Sequence, residues 1–333
     1  MQNLREGYCY GCNETRPITE DHVIPQAIGG KLTASLCVEC HKKIHPIDTE
    51  LAKALQKIAT LLNVKRARTE NRPFRVKQVE TDIEFDIDSR EGWRAHPEVN
   101  IHFDQSGLPI PDVKARSKDE LNEILDGIRK KYGQFAKPVD TISEPISIGL
   151  VEYENTIGGR LFMRSVAKSA YLFLATHFPK EKVSSVIFSS VRDFIFEDKG
   201  ISLTSFNFVH TRFMYDARRP VHGIAIHFDT QRRNIVGYVQ YFGTFRFSVL
   251  IARSFPWEIA IPDLKYCFNP LTGEEIPLKP IIMLPDVTIE ECLTPFQTIQ
   301  FVYSEVEKGL KKIESYCASI SKTTIEFTDQ SNT

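Results

Sequence analysis

Two cysteine pairs near the start of the chain, Cys9-Tyr-Gly-Cys12 and Cys37-Val-Glu-Cys40, constrain its folding more than any other feature. A CxxC turn presents two sulfurs on one side of a tight bend, and two such turns can surround one tetrahedral ion. Soft thiolates match Zn2+, and the 24 residues between the pairs resemble the spacing of structural zinc sites. Fewer than 70 residues with so little apolar content could hardly hold a core unaided, so the expected role of the metal is to fold the segment. Cys9, Cys12, Cys37 and Cys40 are therefore read as a zinc site. The remaining cysteines, Cys267, Cys292 and Cys317, are isolated and read as buried or incidental thiols. An odd number of cysteines without a secretory leader fits a reduced, cytoplasmic setting.

Zinc needs no further ligands, yet more polar groups lie nearby. Asp21 and His22 open the run Asp21-His22-Val23-Ile24-Pro25, His41 follows Cys40 directly, and His45 comes one helical turn later. A carboxylate and an imidazole can hold a divalent cation with coordination positions left open. A neutral histidine beside them can take a proton from water. Those parts suffice to hydrolyse a phosphodiester.

Together the residues resemble the HNH endonucleases with a ββα-metal core, in the branch that carries zinc knuckles. The resemblance rests on Cys9-x-x-Cys12, Asp21-His22-Val23-Ile24-Pro25, Gly29-Gly30 and Cys37-x-x-Cys40-His41, and covers about residues 7–60. It implies that His22 is the general base and that Asp21 and His41 bind a catalytic Mg2+ or Mn2+. It further implies that the four cysteines hold structural Zn2+ and that the substrate is DNA. Many members carry an asparagine between the Gly-Gly turn and the second knuckle that orients the catalytic histidine. Residues 31–36 here contain none. Thr33, Ser35 or a backbone carbonyl are the substitutes within that stretch. His45 is left open as a phosphate contact, a surface residue or a metal ligand. An alternative reading from another class is a zinc-stabilised DNA-binding or regulatory protein with an inactive HNH site.

The fold class expected is α+β: a small zinc-stabilised HNH domain over residues 1–66, a basic linker over 67–75, a larger α+β domain over 76–322 and a flexible tail over 323–333. Ile18 to Ile24 reads as a strand. The second knuckle reads as opening a short helix that Pro46 breaks, with Asp48 capping a second helix whose stripe is Leu51, Ala54, Leu55, Ile58, Ala59 and Leu62. Val76 to Ile87 and Val99 to Phe103 read as strands, and Ser117 as a helix cap. The apolar run from Arg160 to Phe178 reads as a buried central helix.

From Val221 to Ala252 the period becomes two, which predicts a three-stranded antiparallel meander. His222 and His227 are expected at exposed positions on it. Pro256 to Pro285 reads as irregular, and a helix is expected from Ile289 or Phe296 to Ile320.

Net charge is −1, so no global basic field attracts nucleic acid. Residues 1–72 carry 11 Lys/Arg against 8 Asp/Glu, a local excess of +3 centred on Lys65-Arg66-Ala67-Arg68 and Arg72. A second set, Arg212, Arg218, Arg219, Arg232 and Arg233 among aromatic residues, is read either as a solvated loop or as an anion contact. No apolar run is long enough to span a bilayer. A small HNH module with a larger partner domain is an architecture that resembles bacterial defence nucleases. That likeness makes the larger part a candidate for sensing a small-molecule or protein activator, for homo-oligomer formation or for DNA positioning.

Overall fold

A computed structural model of the chain describes residues 5–64, 73–79, 83–88, 92–115, 117–135, 151–152, 157–206, 220–256, 263–277, 304, 306–313 and 315. Three strands come first: β1 (Arg5–Tyr8), β2 (Thr15–His22) and β3 (Thr33–Cys37), in an antiparallel sheet ordered β1-β2-β3. Helix α1 (Val38–Leu61) leaves β3 without a loop. Cys37 makes this possible, because its extended backbone ends the strand and its Sγ accepts from the Cys40 amide as the helix N-cap.

Helix α1 runs unbroken through Pro46, which corrects the expectation of two helices. An interior proline loses one amide bond and crowds the preceding turn, at a cost of about 3 kcal/mol. Ile44, Ile47 and Leu51 flank it and are at most 1% exposed. Burying such side chains contributes about 1.5–3 kcal/mol each, which outweighs the defect. Asp48 consequently caps nothing. The predicted stripe from Leu51 to Leu62 is the buried face.

By contacts the chain divides into two compact units. One comprises residues 70–155, the other residues 1–69 with 156–333. The first unit contains β4 (Phe74–Gln78), β5 (Glu84–Asp88), β6 (Gly92–Ala95), the hairpin β7 (Glu98–Phe103) and β8 (Pro109–Lys114), helix α2 (Lys118–Tyr132) and β9 (Val151–Glu152). The single strand expected from Val76 to Ile87 is a hairpin, with Val76 opposite Phe85. The Ser117 hydroxyl caps α2 by accepting from the Glu120 amide at 3.2 Å.

The other unit continues with α3 (Gly159–His177), the short α4 (Lys180–Val183), α5 (Ser189–Glu197) and β10 (Thr204–Phe206). It then adds β11 (His222–Asp229), β12 (Asn234–Tyr241), β13 (Phe245–Ala252) and β14 (Leu264–Phe268). The meander is present as β11-β12-β13, inside a five-stranded antiparallel sheet ordered β10-β13-β12-β11-β14. β14 falls where irregular chain was expected, because its pairing partner β11 lies far from it in sequence. Residues 306–313 are helical, within the helix expected there.

Helix α3 buries thirteen of its nineteen residues, as a central helix must. It packs on α1, on α5 and on the five-stranded sheet, so one hydrophobic core runs from Cys9 to Ile313. His222 is fully buried rather than exposed, which corrects the sequence reading. Its Nε2 donates to the Ile28 carbonyl at 2.7 Å, and its Nδ1 accepts from the Phe242 amide at 3.2 Å. Burial pushes its pKa down to about 4. His227 is partly exposed and pairs with Asp263 at 3.0 Å.

The basic run 65–72, Arg212, Arg218, Arg219, Cys292, Cys317 and the tail from 323 lie outside the described residues, as do most of the terminal helix and parts of 256–285.

Candidate active site

The four Sγ atoms of Cys9, Cys12, Cys37 and Cys40 lie within 4.8 Å of one another. A tetrahedral zinc–thiolate centre has sulfur–sulfur edges of about 3.8 Å, from Zn–S bonds of about 2.3 Å. The Cys12–Cys37 separation of 4.0 Å is close to that. The Cys37 amide donates to Cys9 Sγ at 3.1 Å, the kind of bond that stabilises a thiolate.

Gly11 is required in the first knuckle, since a Cβ there would sit 2.7 Å from Cys40 Sγ. Four thiols this close cannot all ionise without a cation. A hydrogen bond from Cys40, aided by backbone amides, holds the Cys9 thiol down at about 4, whereas burial pushes Cys12 up to about 11. The donor set fits one Zn2+.

The turn between β2 and β3 is a 3-10 segment, Gln26–Ile28, closed by Gly29 at φ +97°. Gly30 cannot carry a side chain, because its Cβ would meet the Ile24 carbonyl oxygen at 1.7 Å. The turn fixes the register of the hairpin, with Asp21 opposite Ala34 and His22 opposite Thr33. By strand alternation Asp21 and Thr19 lie on one face of the sheet, and His22, Glu20, Thr33 and Ser35 on the other.

The face that carries Asp21 receives His41 from the first turn of α1. His41 Nδ1 stands 3.5 Å from Asp21 Oδ1 and 3.5 Å from Thr19 Oγ1. An oxygen and a nitrogen at that separation can share one cation at roughly 2.1 Å from each. Asp21 is 8% exposed, while the His41 side chain is 41% exposed, so the pair opens to solvent on one side.

His22, the next residue, ends β2, and by strand alternation its side chain leaves the opposite face of the sheet. His45 is exposed one turn beyond His41. The Ser35 carbonyl accepts from the Tyr10 amide at 3.1 Å, tying β3 to the first knuckle, and the Thr33 hydroxyl reaches Glu20 at 3.5 Å.

Sequence reasoning missed the group beneath Asp21. Lys168 of α3 is fully buried, and its Nζ donates to Asp48 Oδ2 at 2.6 Å, to the His22 carbonyl at 2.7 Å and to Asp21 Oδ2 at 3.2 Å. Ser165 Oγ adds a bond of 2.6 Å to Asp48 Oδ1. Burial disfavours the ammonium, but the carboxylates of Asp48 and Asp21 outweigh it and hold Lys168 above the usual lysine range. The available signal was a lysine one turn from Arg164 in a helix otherwise apolar on nearly all sides. A charge at such a place persists only with partners.

Among the described residues no helix is long and apolar enough to cross a membrane. Comparison with curated proteins and with solved structures yields no match. HNH nucleases use divalent metals and act on DNA, and the four clustered cysteines of this chain suit zinc. Residues 8–56, from the end of β1 to most of α1, match the family model for HNH endonucleases.

Proposed function

We propose that the protein is a metal-dependent endonuclease that hydrolyses DNA phosphodiester bonds. The observation that carries the reading is the meeting of Asp21 Oδ1 and His41 Nδ1 at 3.5 Å, with His22 the next residue of β2. In this reading Asp21 and His41 hold Mg2+ or Mn2+, which supplies charge neutralisation at the scissile phosphate and the leaving oxygen. His22 takes the proton of the attacking water. Cys9, Cys12, Cys37 and Cys40 keep β1, the hairpin and α1 in register by binding Zn2+. His45, exposed one turn beyond His41, serves as a phosphate contact. The remainder of the chain controls when residues 1–66 cut, through an activator or self-association, in a cytoplasmic defence against foreign DNA.

The experiment is cleavage of supercoiled plasmid by the zinc-loaded full-length protein with Mg2+ or Mn2+, beside Asp21→Asn and His41→Ala. Both variants are expected to retain zinc and lose cutting. Wild-type protein that binds DNA without cutting it in any divalent metal favours the alternative of a DNA-binding protein with an inactive site. The missing asparagine in residues 31–36 is the observation on that side.

A further inference from the structure

A lysine removed from water is tolerated only where each of its three N–H groups finds an acceptor. Lys168 has three: Asp48 Oδ2, the His22 carbonyl and Asp21 Oδ2. Two of these belong to the adjacent residues to which the nuclease reading gives the metal and the proton. The bond to Asp21 goes to Oδ2, while Oδ1 faces His41. The bond to His22 pins the last peptide of β2. Asp48 lies two turns after His41 on α1 and anchors the lysine, itself steadied by Ser165.

We propose that Lys168 is a positioning residue of the nuclease centre. It clamps the Asp21 carboxylate and the His22 backbone from α3. The proposal rests on the reading of Asp21 and His22 given above. It makes α3 part of the site, although α3 lies more than a hundred residues beyond the segment that matches the HNH family. A purely electrostatic role predicts the opposite outcome, because an ammonium next to a metal ligand repels a cation.

The test is the full-length Lys168→Met/Asp48→Asn protein, which loses one buried positive and one buried negative charge together. Zinc content and thermal melting report the fold. Mn2+ affinity, read by electron paramagnetic resonance, and the Mg2+ dependence of plasmid cleavage report the site.

Positioning predicts a zinc-loaded, folded variant whose Mn2+ binding is weakened by about tenfold or more, in the range found when the partners of metal ligands are removed. Mn2+ binding by the double variant at wild-type strength or tighter overturns the proposal, and so does an otherwise wild-type Asp21→Asn protein that binds Mn2+ unchanged. Wild-type protein that binds Mn2+ through Asp21 yet cuts no DNA defeats the nuclease reading alone, and the Mn2+ comparison still decides the role of Lys168. Lys168→Gln/Asp48→Asn, which keeps hydrogen-bonding groups in the site, replaces the methionine variant if that loses zinc, with the same outcomes.

Discussion

Lys168 Nζ and Asp21 Oδ2 meet at 3.2 Å across 147 residues of sequence. The contact joins the middle of α3 to the last turn-facing residues of β2, and it is shielded from solvent on the lysine side. It ties the carboxylate at the candidate centre to the hydrophobic core of the unit.

Buried charges are costly when one partner is removed alone. Lys168→Met leaves Asp48 and Asp21 without their counter-ion and is expected to destabilise the protein by about 3–5 kcal/mol. Adding Asp48→Asn is expected to recover a large part of that loss. Chemical denaturation of the two variants and wild type measures the difference. Equal destabilisation by the single and double variants contradicts the pairing.

The zinc site is expected to govern folding of the N-terminal segment. Removing zinc with a chelator, or replacing Cys37 by Ser, should abolish the cooperative melting of the zinc-loaded protein, because Cys37 is at once a candidate ligand, the N-cap of α1 and the end of β3. Elemental analysis should give one zinc per chain in wild type. A melting curve unchanged after complete zinc removal contradicts the structural role.

Residues 1–70 alone are expected not to fold stably even with zinc. Ile47, Leu51, Leu55 and Ile58 are fully buried in the whole chain, and α1 packs on α3 and α5. Tyr171 also donates to the Tyr10 carbonyl at 2.9 Å, bracing the first knuckle from α3. Circular dichroism and plasmid cleavage by the fragment test this. A fragment that melts sharply and cuts like the whole protein contradicts it.

His222 sets an acid limit. Its pKa lies near 4 in the fold against 6.5 in the unfolded chain, so between those values the unfolded state binds more protons. Stability from this residue is therefore complete above pH 6.5 and declines as pH falls to 4, by roughly 3 kcal/mol in all. The pH dependence of thermal melting for His222→Gln, beside wild type, measures it. A variant with the same acid slope as wild type contradicts the assignment.

The local fold of the N-terminal segment was legible because its signals lie close together in sequence. Cysteine spacing, the Asp21-His22 strand, the Gly29-Gly30 turn and His41 all lie within 35 residues, and the structure places them as a hairpin and helix. Alternation from Ile224 to Ile251 likewise announced the meander. What escaped depends on distant partners. Asp48 has the residue type of a helix cap, and only Lys168 and Ser165 show that its carboxylate is used elsewhere. His222 has the alternation of an exposed strand position, but β14 and the Ile28 turn cover it. Pro46 stops helices by local rule and was overridden by burial on either side of it.

The most direct test of the account is plasmid cleavage by His22→Ala, zinc-loaded and shown to melt like wild type. Loss of a general base predicts a fall in the cleavage rate of at least roughly 100-fold in saturating Mg2+ or Mn2+, with zinc content unchanged. Cleavage by that variant at the wild-type rate would contradict the assignment of the base and, with it, the proposed mechanism.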